Sequence, residues 1–383
     1  MHPFDFELKT RMVTGPDSIN RVGAEAAQLG CNKALIVTDP GIVAAGHVQT
    51  AIDSLKQQSI ETMVFDGARE NPTTADVDAG LAVAKDYQPD LLIGLGGGSS
   101  MDCAKGVNFV YSCGGTMKDY WGVGKATKPM LPMIAIPTTA GTGSEMQSFA
   151  LISDADTHVK MACGDKKASC RVAILDPKLT LTQPESVTAL TGIDAISHAV
   201  ETWVTSKRNP VSMLFSRESW RLLASSFATV MQQPDNLEAR AALQLGAAYA
   251  GMAIENSMLG ASHALANPLT ATYSTAHGQA VGLMLPHVVR FNGEKFDSWY
   301  RQLLAETEHV PGCPPAESGS AGLAEFLTSL VETAKLHTRL DGCGIERERI
   351  VELAEAASKQ WTGTFNPRPV DPQSLAAIYE SAF

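Results

Sequence analysis

The amino-acid sequence predicts an α/β domain with a parallel sheet over residues 1–180 and an all-helical domain over residues 181–383. Three observations predict it. Short β-branched runs alternate with helical stretches as far as about residue 178, such runs nearly vanish afterwards, and one strand runs directly into a glycine-rich loop. Strands alternating with helices imply a parallel sheet covered on both faces. A chain of 383 residues has room for two cores, since domains usually run to roughly 100–200 residues.

The elements follow in order. KALIVTD (33–39) reads as a buried strand and 45–60 as an amphipathic helix; ETMVFDG (61–67) is a second strand and 74–88 a second helix. DLLIGLGGGSS (90–100) is a third strand entering its loop, and PMIAIPTTAG (132–141) repeats that design. Residues 184–205, 212–233, 236–257, 321–337 and 345–360 are helix-like, and VPGCPPAESGS (310–320) is an exposed connection.

Composition excludes several classes of function. Hydrophobic residues make up 44% and charged residues 19%, and no apolar run approaches a membrane span. The net charge is −11 with no Lys/Arg-rich block, so nucleic acid and anionic membranes are poor partners. The opening MHPFDFELKTRMV lacks the apolar core of a secretion signal, and the seven scattered cysteines include no C-x-x-C, so the expectation is a cytoplasmic protein with reduced thiols. Cys103 reads as small buried filler.

Two loops can hold phosphate. In GLGGGSSMDCAK (94–105) consecutive glycines let backbone approach an anion at a helix start, and Ser99 and Ser100 add hydroxyls. It is neither a G-x-G-x-x-G fingerprint nor a P-loop, and a structural glycine turn explains Gly96 and Gly97 about as well. PTTAGTGSE (137–145) offers Thr138, Thr139 and Thr142, with plain turn chemistry as the alternative. Asp39, at the end of the first strand, suits ribose hydroxyls and repels the 2′-phosphate of NADP, but Asp39-Pro40-Gly41 is also a good turn. Lys160 suits pyrophosphate or ribose unless it is only a solvated charge.

The helical half offers metal ligands. Asp194 and His198 are four apart and share one helix face. His263 and His277 are fourteen apart, about 21 Å along an unbroken helix, so the chain must fold back between them. Asn267-Pro268 is the expected break, with His263 closing one helix and His277 opening the next. Three imidazoles and a carboxylate suit iron(II) or zinc rather than an oxygen-seeking cation.

Taken as an ordered set, GGGSSMDCAK, PTTAGTGSE, DAISHAVE, HALANPL and AHG resemble the iron-containing (group III) alcohol dehydrogenase family over nearly the whole chain. The resemblance implies a dehydroquinate synthase-like architecture: a dinucleotide-binding α/β domain, a helical domain, and a metal in the cleft between them. By position it implies Asp194, His198, His263 and His277 as metal ligands, and Asp39, Asn71, Gly97, Gly98, Ser99, Ser100, Thr138, Thr139, Thr142 and Lys160 as cofactor contacts. It also implies NAD more than NADP, Fe2+ with Zn2+ as the alternative, a small alcohol or aldehyde substrate, and a homodimer. One position departs: Asn267 stands where many members carry a histidine near the reacting carbon. His287, in an apolar run, reads as structural, and Phe149, Ile254 and Leu259 are candidates for an apolar substrate pocket. Other readings are a polyol dehydrogenase of the same superfamily, a dehydroquinate synthase-like lyase, and a non-catalytic nucleotide- or metal-binding protein.

Overall fold

The structure, a computed structural model, describes residues 4–157 and 159–383. They group into two compact units, one of residues 7–139 and 143–183, the other of residues 4–6, 140–142 and 184–383.

The first unit holds strands β1 (Arg11–Thr14), β2 (Lys33–Val37), β3 (Glu61–Phe65), β4 (Leu91–Gly96), β5 (Gly122–Val123), β6 (Met133–Pro137), β7 (Phe149–Ser153), β8 (Lys160–Gly164) and β9 (Val172–Leu175). Its helices are α1 (Val22–Gln28), α2 (Pro40–Ala44), α3 (His47–Gln57), α4 (Thr74–Tyr87) and α5 (Gly98–Cys113). Six strands form a wholly parallel sheet in the order β1-β9-β6-β4-β2-β3. Every residue of β4 is buried, because helices cover both faces. The period of two sorts the side chains: Leu35, Val37 and Leu92 pack on one face, Ala34, Ile36, Leu91 and Ile93 on the other. From β2 the chain moves to one side to form β3, then crosses to the other side for β4. The carboxyl ends of β2 and β4 therefore flank a topological switch point, where sheets of this kind bind ligands. Gly96 pairs with Pro137, so the two loops leave neighbouring strands side by side.

The sequence did not mark β1 and β9, nor the second sheet of β5, β8 and β7, whose β7–β8 pair is antiparallel. β1, β5 and β9 are two to four residues long, too short to set up a period.

The second unit contains α6 (Glu185–Val204), α7 (Pro210–Gln232), α8 (Leu237–Glu255), α9 (Ala261–Tyr273), α10 (His277–Ala305), α11 (Gly319–Thr333), α12 (Ile350–Ser358) and α13 (Pro372–Ser381), with no strand among its described residues. One core packs α6 against α7, α8, α10 and α11; a second joins α9, α10, α12 and α13. The expected break at Asn267-Pro268 is not there. α9 continues through Pro268, so His263 stands near the start of its helix rather than at the end. The reversal falls at Ser274, which takes left-handed backbone geometry (φ 55°), and His277 opens α10 as expected. Burial of His263–Ala266 and Pro268–Leu269 offsets the missing proline N–H, so packing overrides the local rule.

Candidate active site

α6 carries Asp194, His198 and Glu201 at i, i+4 and i+7, one face of a helix that is buried from Gly192 to Val204. The turn before Asp194 is seated on glycines. A Cβ on Gly278 would lie 2.1 Å from the Leu190 carbonyl oxygen, one on Gly282 2.3 Å from Ile193 Cγ2, one on Gly192 2.5 Å from Phe227, and one on Gly141 2.6 Å from Thr191 Cβ. Gly278 thus lets the first turn of α10 meet the α6 backbone, which brings His277 to Asp194.

The four expected ligands converge. Asp194 Oδ1 lies 3.4 Å from His198 Nε2, 3.5 Å from His263 Nε2 and 3.7 Å from His277 Nε2. The donor atoms of Asp194, His263 and His277 are all within 4.8 Å of one another, and the His198 ring stacks on that of His263 at 4.9 Å. Asp194, His198 and His263 are buried, whereas the His277 side chain keeps 29% of its surface exposed and marks the open side. Asp194 Oδ1 and His263 Nε2 are both buried without a hydrogen bond among the described residues. A cation would satisfy both, so the residues fit a metal.

Electrostatics agree. Burial is the largest influence on Asp194 and opposes its charge, but the surrounding imidazoles outweigh it and hold the carboxyl well below its usual range. Burial likewise opposes charge on His263, yet Glu201 and Asp194 push that imidazole up to about 9. The pocket carries an excess of negative charge that a divalent ion can answer in place of a proton.

Glu201 is the functional residue that sequence reasoning passed over. Its Oε2 accepts from His263 Nδ1 at 2.5 Å and its Oε1 from the Ser262 N–H at 2.7 Å, at 3% exposure. The first bond fixes the His263 tautomer, so that Nε2 faces the pocket with its lone pair. The signal was in the sequence: DAISHAVE places Glu201 on the same helix face as the two ligands.

In the first unit the predicted cofactor residues gather at the switch point. Asp39 caps α2, accepting from the Gly41 and Ile42 N–H groups at 2.9 and 3.1 Å, so the turn reading is correct. Its other oxygen accepts from the Ser100 hydroxyl at 3.3 Å, which ties it to the glycine loop. Gly96 sits at φ 148°, and a Cβ there would come 2.4 Å from Ser100 Oγ, so only glycine fits. Gly97 precedes α5, and Gly98, Ser99 and Ser100 form its first turn, where helix N–H groups favour an anion. The Asn71 N–H donates to Ser99 Oγ at 3.3 Å, and Lys160 Nζ reaches Asn71 Oδ1 at 3.5 Å. The Thr138 N–H donates to the Gly96 carbonyl at 2.9 Å, and Thr139 lines the loop beside Gly97. Thr142 lies in the 140–142 segment, which groups with the helical unit.

Other expectations sort themselves on the structure. Asn267, one helical turn beyond His263, donates to Gln360 Oε1 at 3.0 Å, so an amide pair occupies the position. His287 lies in α10 beside Ser381 Oγ at 2.9 Å, and burial pushes its imidazole down to about 4, a structural role. Phe149, Ile254 and Leu259 do not form one wall within a unit: Phe149 lies on β7 over Gly164, whereas the other two are in the helical unit. Cys103 is buried, and burial pushes its thiol up to about 12, as filler requires. All seven cysteines are free, and no helix among the described residues is long and apolar enough to cross a membrane.

Comparison with known proteins gives the same picture along the whole chain. The chain is 34% identical to the 1,3-propanediol dehydrogenase of Klebsiella pneumoniae over 386 residues, covering 99% of each, and 32% identical to the NAD-dependent methanol dehydrogenase of Bacillus methanolicus, again covering 99% of each. It superposes on a crystal structure of 1,3-propanediol oxidoreductase with a TM-score of 0.95 at 32% identity, covering 100% of both chains. Residues 9–177 match the model of iron-containing alcohol dehydrogenases and residues 188–383 that of the family's C-terminal region, so the chain belongs to the iron-containing alcohol dehydrogenase family.

Proposed function

We propose that this protein catalyses reversible hydride transfer between a small alcohol and NAD, with Asp194, His198, His263 and His277 holding iron(II), or zinc in its place. The observation that carries the reading is the buried Asp194 Oδ1, which has no hydrogen-bond partner among the described residues and faces three imidazole Nε2 atoms at 3.4, 3.5 and 3.7 Å. When bound, such an ion polarises the substrate oxygen and favours the alkoxide over the alcohol.

The chain's own residues do the rest by placement. Glu201 holds His263 in one tautomer, and the exposed edge of His277 leaves the pocket open to a small molecule. The Gly97–Ser100 amides and hydroxyls receive the dinucleotide phosphates, and Thr138, Thr139, Thr142, Asn71 and Lys160 offer further polar contacts. The Asp39 oxygen facing Ser100 accepts from ribose hydroxyls and disfavours NADP. Asn267 cannot titrate, so proton release passes through water or the cofactor ribose rather than through a side chain there. The proposal includes a cytoplasmic homodimer, supported by the family likeness alone and checked by light scattering.

The test is His198→Ala beside the wild type, with elemental analysis, NADH binding and a panel of alcohols and aldehydes. The variant should lose metal and turnover while still binding NADH. Full turnover without added metal would overturn the metal assignment, and NADH binding without turnover of any substrate by the wild type would overturn the enzymatic reading.

A further inference from the structure

Beside Glu201 the helical unit holds a cavity of about 10 Å³, which is room for about one water molecule. Its polar lining is Glu201, Asn292, Tyr300 and Asn366, all buried, and Val204 and Val288 belong to its apolar lining. Gly260 keeps the space open: a Cβ there would lie 3.1 Å from Glu201 Oε1 and 3.2 Å from Asn366 Oδ1. Both of those oxygens are acceptors. The Asn366 amide is oriented by its own bonds, since Nδ2 donates to Asn292 Oδ1 at 2.8 Å and to the Arg368 carbonyl at 2.7 Å, and Oδ1 is the atom left toward Gly260. That oxygen accepts from Asn292 Nδ2 at 3.1 Å and, at the long distance of 3.4 Å, from the Ala261 N–H. The Glu201 carboxylate receives one donor on each oxygen and keeps acceptor capacity on both. Two acceptors that converge on one space call for a donor between them.

Tyr300, on α10, supplies the remaining partner. Asn292 Oδ1 is taken by Asn366, so Asn292 meets the Tyr300 hydroxyl through its NH2 group. Burial, reinforced by the Glu201 charge, pushes the ionisation of that hydroxyl up, so it keeps its proton and has it to donate.

We propose that this cavity is the site of one structural water, which accepts from the Tyr300 hydroxyl and donates to Glu201 Oε1 and Asn366 Oδ1, and that Tyr300 is thereby a positioning residue for the metal centre. The inference rests on the metal reading of Asp194, His198, His263 and His277. About three hydrogen bonds to otherwise unsatisfied buried groups are what an internal water ordinarily makes. The chain runs from Tyr300 through the water to Glu201, and from Glu201 Oε2 to His263 Nδ1 at 2.5 Å. A hydroxyl on α10 thus steadies the carboxylate that sets the His263 ring, and it does so without touching metal or substrate.

The experiment titrates iron(II) against a competing chelator into wild type, Tyr300→Phe, Val288→Ile, Glu201→Gln and the Tyr300→Phe/Glu201→Gln double variant, records the melting temperature of each metal-free protein, and solves the wild type and Tyr300→Phe by high-resolution crystallography. Wild-type crystals should show one water within hydrogen-bond distance of Glu201, Tyr300 and Asn366, and Tyr300→Phe crystals should lack it. The iron(II) Kd should rise roughly three- to tenfold in Tyr300→Phe. Val288→Ile should act in the same direction, because its extra methylene fills the space without removing a hydrogen-bonding group. In the Glu201→Gln background the effect of Tyr300→Phe should shrink below about twofold, since the two residues act in series. No water in wild-type crystals, an iron(II) Kd for Tyr300→Phe within about twofold of wild type, or an equal effect in both backgrounds would each overturn the inference; a lowered melting temperature with unchanged affinity is the second of these outcomes and leaves the hydroxyl merely structural. Should Val288→Ile not fold, Tyr300→Phe and the double variant decide alone by the same criteria. A wild-type protein that bound neither iron(II) nor zinc would instead remove the metal reading, and the positioning role with it.

Discussion

Replacing Glu201 with glutamine asks how much of the metal affinity is set one shell away from the ion. Each Glu201 oxygen serves one buried donor, Oε2 the His263 Nδ1–H at 2.5 Å and Oε1 the Ser262 N–H at 2.7 Å. Glutamine has only one acceptor oxygen, so its NH2 group must confront one of the two donors. A buried donor that loses its partner costs about 1–3 kcal/mol. If the amide oxygen stays with Ser262, the loss falls on His263, whose ring is then free to turn or to exchange tautomers. Since about 1.4 kcal/mol is tenfold in a binding constant, the expected loss in metal affinity is roughly 10- to 100-fold. Titration of iron(II) against a competing chelator measures it, and elemental analysis of dialysed protein gives an independent reading. Glu201→Ala should lose at least as much, since neither donor keeps a partner. Affinity of the glutamine variant within twofold of wild type would refute the reasoning, because His263 would then be oriented by packing alone.

Other outcomes follow from the same geometry. Asp39→Gly removes both the ribose acceptor and the cap of α2; the ratio of kcat/KM for NAD to that for NADP should fall at least tenfold, with about 1 kcal/mol of stability lost, and an unchanged ratio would count against the ribose role. Asn267→His should add an ionisation between about pH 6 and 7 to the kcat/KM profile that the wild type lacks, and superimposable profiles would show that this position does not sense the reaction. His287 is neutral in the folded protein, its value of about 4 lying below the ordinary 6.5. The unfolded chain therefore binds the extra proton first, and stability present above pH 6.5 is lost as pH falls from 6.5 through 4. Because the side chain is partly exposed, the loss is about 1 kcal/mol. Denaturant unfolding of His287→Gln between pH 7 and 4.5 should show a flatter dependence than the wild type.

The pairing of Asp194 with His198 was legible because it is written in the spacing: four residues on a helix bring the two together whatever surrounds them. Glu201 shares that helix face, but a single glutamate on a helix is ordinarily solvated, so its bond to His263 shows only in the fold. The central strands were legible for the same reason the ligands were, a run of apolar residues that ends in a loop. β5 was not, because its two residues carry no pattern of their own and pair with a segment distant along the chain. Pro268 shows the opposite failure: a correct local rule was overruled by the packing of α9. Asp39 caps α2 with one oxygen and meets the Ser100 hydroxyl with the other, so the turn reading leaves the second oxygen available to the ribose proposal.

The glycines around α6 bear on how this protein can change. Backbone contact at Leu190–Ile193 sets the height of Asp194 in its pocket, and that contact has no side-chain slack to absorb even one methyl group at Gly278. Variation that alters the reaction's scope therefore has to come from residues on the open side, which the exposed edge of His277 marks. A mutagenesis library aimed at new alcohols would waste its members at positions 141, 192, 278 and 282. Spread over the open rim instead, it would sample new substrates on a metal site that stays intact.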